Sequence, residues 1–166
     1  MPEILMNRSD IVAFAAISET TTSGGTSTTT TTNYRMTKFS KFSQNKNAKE
    51  YNRQYVDEIA ETSDVVGYAP AIDYGFDAHR NNKVHEVFRN VTDNELIGSA
   101  ATIDIIAVDV TDGNAYKRTW AIIPAAEGDN LNAYTYAGTL KAKGEITHGT
   151  ATTSDNWKTC TFTEDE

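Results

Sequence analysis

The stretch GYAPAIDYGFD, residues 67–77, sets the fold class of this chain. Gly67, Ala69, Ala71, Asp73, Gly75 and Asp77 alternate with Tyr68, Pro70, Ile72, Tyr74 and Phe76. A strand turns successive side chains to opposite faces, so one face here is large and apolar and the other small and acidic. The large face belongs against a core. The small face can pack beneath a helix or a neighbouring loop, where Gly and Ala permit close approach.

Strand signals continue on both sides. EYNRQYVDE (50–58) is expected to be the strand before residues 65–77, with ETSD (61–64) as the polar turn between them. Downstream, ATIDIIAVDVT leads through Asp112-Gly113-Asn114 into AYKRTWAIIP, and YTYAGTLKAKGE, ITHGTATT and NWKTCTFT follow. Short strands separated by turn residues at regular spacing predict an antiparallel β-sandwich or barrel. One helix interrupts them, at about residues 82–94. There Val84, Val87, Phe88 and Val91 form a single stripe at helical spacing behind the cap-capable Asn81 and Asn82. Pro70 cannot donate a ladder hydrogen bond, so its strand is expected at an edge or locally bulged.

At the N-terminal side, the apolar run Ile11–Ile17 reads as a strand and enters a tract of Thr, Ser and Gly over residues 20–32. Composition suits a flexible linker. β-branched Thr with a Ser23-Gly24-Gly25 turn suits a long hairpin over about residues 18–33. Arms of Ile11–Thr22 and Thr26–Thr37 would each span ~40 Å at ~3.3 Å per residue. That is about the width of a single domain spanning residues 1–166, whose expected radius of gyration is ~15 Å.

Charge divides the chain in two. The net charge is −8, with six Lys/Arg against three Asp/Glu in residues 1–49 and nine against twenty in residues 50–166. An acidic body disfavours a sequence-independent grip on nucleic acid, which needs cations on phosphates. The basic N-terminal segment suits an acidic partner, and another copy of the chain supplies one.

Motifs for catalysis are missing. There is one cysteine, Cys160, expected to be a small buried apolar residue, and three histidines, His79, His85 and His148, expected at the surface or an interface. Their spacing matches no zinc motif, and no nucleophile elbow, P-loop or dinucleotide fingerprint occurs. No enzyme activity, metal or cofactor is expected. The seven residues Ile11–Ile17 are too few for a signal peptide core or a membrane span, so a cytoplasmic site of synthesis is expected.

YNRQYVDE (51–58), DVVGYAPAIDYGFD (64–77), HEVFRNVTDNELIG (85–98), KRTWAIIPAAEGD (117–129), YTYAGTLKAKGE (134–145) and GTATTSDNWKTCTF (149–162) together resemble the major tail tube proteins of long-tailed bacteriophages. The Thr-rich insertion departs from that pattern. The resemblance implies a β-sandwich-like subunit with a flanking helix, assembling into stacked hexameric rings of a virion tail. DNA would pass through the lumen during ejection without specific binding. Partners would be further copies and other tail proteins, such as the tape measure, terminator, initiator or baseplate, with no membrane.

Under that resemblance, Gly67, Ala69, Ala71, Asp73, Gly75 and Asp77 become candidates for the lumen wall, where carboxylates repel phosphates. Thr21, Thr22, Gly24, Gly25, Thr28 and Thr30, with Arg35, Lys38, Lys41, Lys46 and Lys49, become candidates for contact between subunits. The alternative is a β-sandwich binding module, an adhesin or carbohydrate-binding domain with an exposed aromatic platform. Trp120 and Trp157 count against it, because they alternate with polar neighbours as core residues do.

Overall fold

The computed structural model describes residues 1–166. In chain order it contains β1 (Ile11–Ser23), β2 (Thr26–Arg35), β3 (Phe39–Asn45), β4 (Ala48–Arg53), β5 (Thr62–Tyr68), β6 (Ala71–Asp77), α1 (Lys83–Asp93), β7 (Thr102–Asp109), β8 (Asn114–Glu127), β9 (Thr135–Ala142), β10 (Thr147–Thr152) and β11 (Thr159–Glu164). Nine strands form one antiparallel sheet in the order β10-β11-β2-β1-β7-β8-β9-β6-β3, and β4 and β5 form a separate pair. The fold is mainly β, antiparallel and sandwich- or barrel-like, with one helix.

The sheet closes on itself in part. β10 pairs with the first residues of β8, Thr147 opposite Lys117 through Thr150 opposite Asn114, so β8, β10, β11, β2, β1 and β7 make a small barrel. Its interior is filled by Val12, Phe14, Ile106, Val108, Ala115, Ala151 and Cys160. Beyond the barrel, β9, β6 and β3 extend the sheet, and α1 covers one face. The larger core lies under that helix, where Tyr74, Phe76, Trp120, Tyr136 and Leu140 meet Val84, Phe88 and Val91.

These two cores explain why Ile11–Ile17 is apolar without alternation. Val12 and Phe14 point into the barrel, while Ala15 and Ile17 point to the helix-covered core, so both faces of this stretch of β1 are buried. The helix forms where its stripe and cap allow. Asn82 Oδ1 accepts the backbone N–H groups of Val84, at 3.1 Å, and His85, at 3.2 Å, satisfying two donors that have no partner within the helix. Val84, Phe88 and Val91 are buried and Val87 is half-buried.

Several expectations need correction. Residues 65–77 are not one strand. β5 ends at Tyr68 and pairs with β4, whereas β6 starts at Ala71 between β3 and β9. Pro70 makes the break: it lacks an N–H and disfavours helix-like turns at Ala69, so the chain leaves one sheet there and enters another. Its carbonyl accepts the Ala142 N–H at 3.1 Å, and Asn47 donates its side-chain amide to the Ala69 carbonyl at 3.0 Å. Pro70 thus lies outside the strands, and β6 is an interior strand rather than an edge.

The strand expected over 50–58 stops at Arg53, and Thr62–Asp64, expected as a turn, lie within β5. The turn is formed by residues 54–61. Tyr68, placed on the core face by alternation, is 62% exposed. His85, expected at the surface or an interface, is completely buried within the chain. It follows Val84 on α1 and faces the rings of Phe39 and Phe76, with centroids at 5.3 and 4.3 Å.

Candidate assembly surfaces

The Thr-rich tract is an ordered two-stranded ribbon. Gly24 and Gly25 form its turn at φ of 59° and 82°, a left-handed pair that Gly adopts without steric cost and that matches the twist of a tight hairpin. Pairing runs from Phe14 opposite Arg35 to Ser23 opposite Thr26. On one face the hydroxyl pairs Ser18 and Thr31, Thr20 and Thr29, and Thr22 and Ser27 stand at 2.8, 2.8 and 3.0 Å. These cross-strand bonds order a segment that has no apolar group to bury.

Past its base, the ribbon is exposed on both faces and open on both edges. β7 pairs with β1 only from Ile11 to Ala16, and β11 pairs with β2 only at Asn33 and Tyr34. Thr21, Thr22, Gly24, Gly25, Thr28 and Thr30 are all exposed. Near its root, Glu19 pairs with Lys83 of α1 at 2.6 Å, and the hydrogen bond to Glu19 pushes the Lys83 ammonium above its ordinary pKa.

A second surface is the sheet face opposite α1. Asp73, Gly75 and Asp77 of β6 lie on it, beside Ala137 and Thr139 of β9, around a shallow concavity of about 590 Å³. Asp73 stands opposite Thr139, whose hydroxyl lies 3.4 Å from the Asp73 carboxylate, and Lys41 of β3 approaches Asp73 at 3.7 Å. Both partners of that ion pair are more than half exposed, so it is a weak surface contact. Asp129 adds a third carboxylate to the rim. The helix packs on the Tyr74 and Phe76 face, so the small face is bordered within the chain by β9, by Ala125, Asp129 and Asn130, and by β3, where Ser40 and Lys41 stand beside Gly75.

The six alternating small residues therefore do not share one surface. Asp73, Gly75 and Asp77 are on this face, with Gly75 buried beside Ser40 and Lys41, and Ala71 is likewise buried, at the start of β6. Gly67 and Ala69 belong to the β4–β5 hairpin and the link that follows it.

Sequence alternation missed a third surface, the β4–β5 hairpin itself. Tyr51, Tyr55, Val56, Ile59, Val65, Val66 and Tyr68 are all exposed there. In sequence these residues look like strand interior; only strand pairing shows that the hairpin stands apart from either core. The basic candidates are spread around neighbouring elements. Arg35 is exposed at the end of β2 and Lys38 in the link to β3, Lys41 meets Asp73, Lys46 lies 5.8 Å from the Tyr116 ring centroid, and Lys49 is on β4. No group of three His, Cys, Asp or Glu side chains is arranged to hold a metal ion. No helix is long and apolar enough to cross a membrane.

No protein-family model matches the chain, and no curated protein matches it. Among solved structures, it is similar to a chain of the anti-feeding prophage baseplate, determined by cryo-EM with six-fold symmetrisation. That match has a TM-score of 0.45 and 6% sequence identity, covering 89% of this chain and 97% of the other.

Proposed function

We infer that this protein is a non-catalytic structural subunit of a phage tail, and specifically of its tube, assembling into stacked hexameric rings around a lumen that conducts DNA. The observation that supports this most is the amount of protein surface left without a covering element. A ribbon open on both edges, an exposed apolar hairpin and an uncovered acidic sheet face all belong to one small chain. Monomeric proteins suppress such edges and patches, whereas assembling subunits use them.

In this arrangement the Asp73, Gly75 and Asp77 face lines the bore. Carboxylates there repel phosphates, and small side chains leave room for the duplex. Interfaces in a closed ring are heterologous, so each subunit presents two different surfaces to its neighbours. The Thr ribbon reaches across one boundary, and the protein works beside other tail proteins in the virion after assembly in the host cytoplasm.

Native mass spectrometry and negative-stain imaging of purified protein test the proposal. Hexamers, rings or tubes are expected. A concentration-independent monomer that binds glycans through Tyr51, Tyr55 and Tyr68 would overturn it in favour of a binding module.

A further inference from the structure

We propose that the turn of the β4–β5 hairpin of one copy seats in a basic, apolar-floored groove on a second copy of this chain. The identity of the partner rests on the tube-subunit reading; the two surfaces stand on their own geometry.

The hairpin end is built to be covered. Glu58 donates its backbone N–H to the Tyr55 carbonyl at 3.0 Å, closing a turn that holds Val56 out on one side, and Ile59 follows. Both aliphatic side chains are fully exposed. An isolated two-stranded hairpin is at best marginally stable in water, and exposed apolar side chains grouped at its end gain nothing there. The same segment is strongly acidic. Asp57, Glu58, Glu61 and Asp64 lie between Gln54 and Tyr68, with no Lys or Arg among them.

The groove has the opposite character. It encloses about 370 Å³ where the N-terminal segment, the end of β2 and β3 come together. Ile11, Met36 and Phe42 supply apolar lining, and Arg8, Arg35 and Lys38 line it with positive charge. No acidic side chain lines it. Arg35 and Lys38 take part in neither ion pair of the chain, which join Lys41 to Asp73 and Lys83 to Glu19. Arg8 is held by a 2.6 Å hydrogen bond to the Ile11 carbonyl, which leaves its charge uncompensated at the groove.

Two aliphatic knobs flanked by carboxylates thus match an apolar depression lined by three cations. Burying Val56 and Ile59 supplies the attraction, while Asp57 and Glu58 against Arg35 and Lys38 set orientation and encounter rate. The hairpin and the groove are different surfaces of one chain, so each docking event leaves a free hairpin and a free groove at the two ends. Such a heterologous contact repeats into a ring or an extended stack.

An equal mixture of 14N- and 15N-labelled full-length protein, treated with a zero-length carbodiimide and digested for mass spectrometry, reads the contact directly. Mixed-isotope peptides joining Lys38 to Asp57 or Glu58 are expected, with yield falling at least tenfold in the Val56→Ser, Ile59→Ser double variant. In sedimentation, Arg35→Glu with Lys38→Glu should abolish association, and adding Asp57→Lys with Glu58→Lys should restore it. Circular dichroism melts confirm that each variant folds, since every altered side chain is exposed.

Absence of the mixed cross-link, parental assembly of the charge-reversed variant, or failure of the combined reversal to rescue it overturns the docking. Rings or tubes that persist without Val56 and Ile59 overturn the docking and leave the tube reading standing. Hairpin-dependent oligomers that never close into rings do the reverse, and a strict monomer overturns both.

Discussion

His85 Nε2 lies 2.9 Å from the backbone carbonyl of Thr37, and its Nδ1 accepts the backbone N–H of His79 at 3.1 Å. One ring nitrogen donates and the other accepts, so this buried imidazole is satisfied only when neutral. It ties α1 to the link between β2 and β3.

Burial lowers the His85 pKa below its ordinary value of 6.5, outweighing the hydrogen bond to the Thr37 carbonyl, which acts in the opposite direction. The unfolded chain therefore binds a proton at a pH where the folded chain does not. Stability from this site is full above about pH 6.5 and falls as the pH drops from there through the lowered folded value. Thermal melts at stepped pH should show this loss, and His85→Gln should remove that part of the slope. An unchanged slope in the variant would assign the pH dependence elsewhere.

Phe88 has no exposed surface, and its ring sits 4.8 Å from Tyr74, 5.7 Å from Phe39 and 5.8 Å from Phe76. Phe88→Ala should cost about 3–5 kcal/mol in a denaturant titration, through lost burial and the cavity left behind. A change within about 0.5 kcal/mol would show that the helix stripe carries no packing.

Tyr74 and Gly138 face each other across β6 and β9 and should respond in opposite directions. The Tyr74 hydroxyl is buried without a hydrogen-bond partner, and burial raises its pKa to about 12. Tyr74→Phe removes that unpaired group and should raise stability by about 1 kcal/mol. Gly138→Ala should lower it by about 1–3 kcal/mol, because a Cβ there would stand 2.5 Å from the Ile123 carbonyl oxygen and 2.7 Å from the Tyr74 hydroxyl. Chemical denaturation of the two variants checks both signs.

Asp73 is exposed and Asp77 half-buried on the sheet face opposite the helix, so their charge should matter for transport more than for folding. Changing both to Lys should leave the melting temperature and tube formation nearly unchanged while slowing DNA release, because a cationic wall holds phosphates. Release at the parental rate from normal tubes would remove these residues from the bore.

Replacing residues 20–32 with a short Gly-Ser turn should preserve folding, since none of these side chains enters either core apart from the partial cover of Thr32 at the base. Polymerisation should be lost, as measured by sedimentation and imaging. Normal tubes from the shortened chain would make the ribbon dispensable for assembly.

The features legible in the amino-acid order are local ones. The stripe of Val84, Phe88 and Val91 with Asn82 before it specifies α1, because both the 3.6-residue period and the cap act within a few residues. The alternation of Ile72, Tyr74 and Phe76 specifies a strand with one core face, and Gly24-Gly25 permits the tight turn that makes a Thr tract a hairpin.

Features that depend on pairing between distant segments emerge with the folded chain alone. Pro70 breaks a pattern that looks continuous, but which sheet takes each half follows from Ala48 opposite Tyr68 and from Tyr74 opposite Gly138. The exposure of Val56 and Ile59, the burial of His85 and the closure of β10 on β8 arise in the same way. A residue's period tells which side of its strand it faces, while the element lying on that side is set by nonlocal register, which no short stretch of sequence carries.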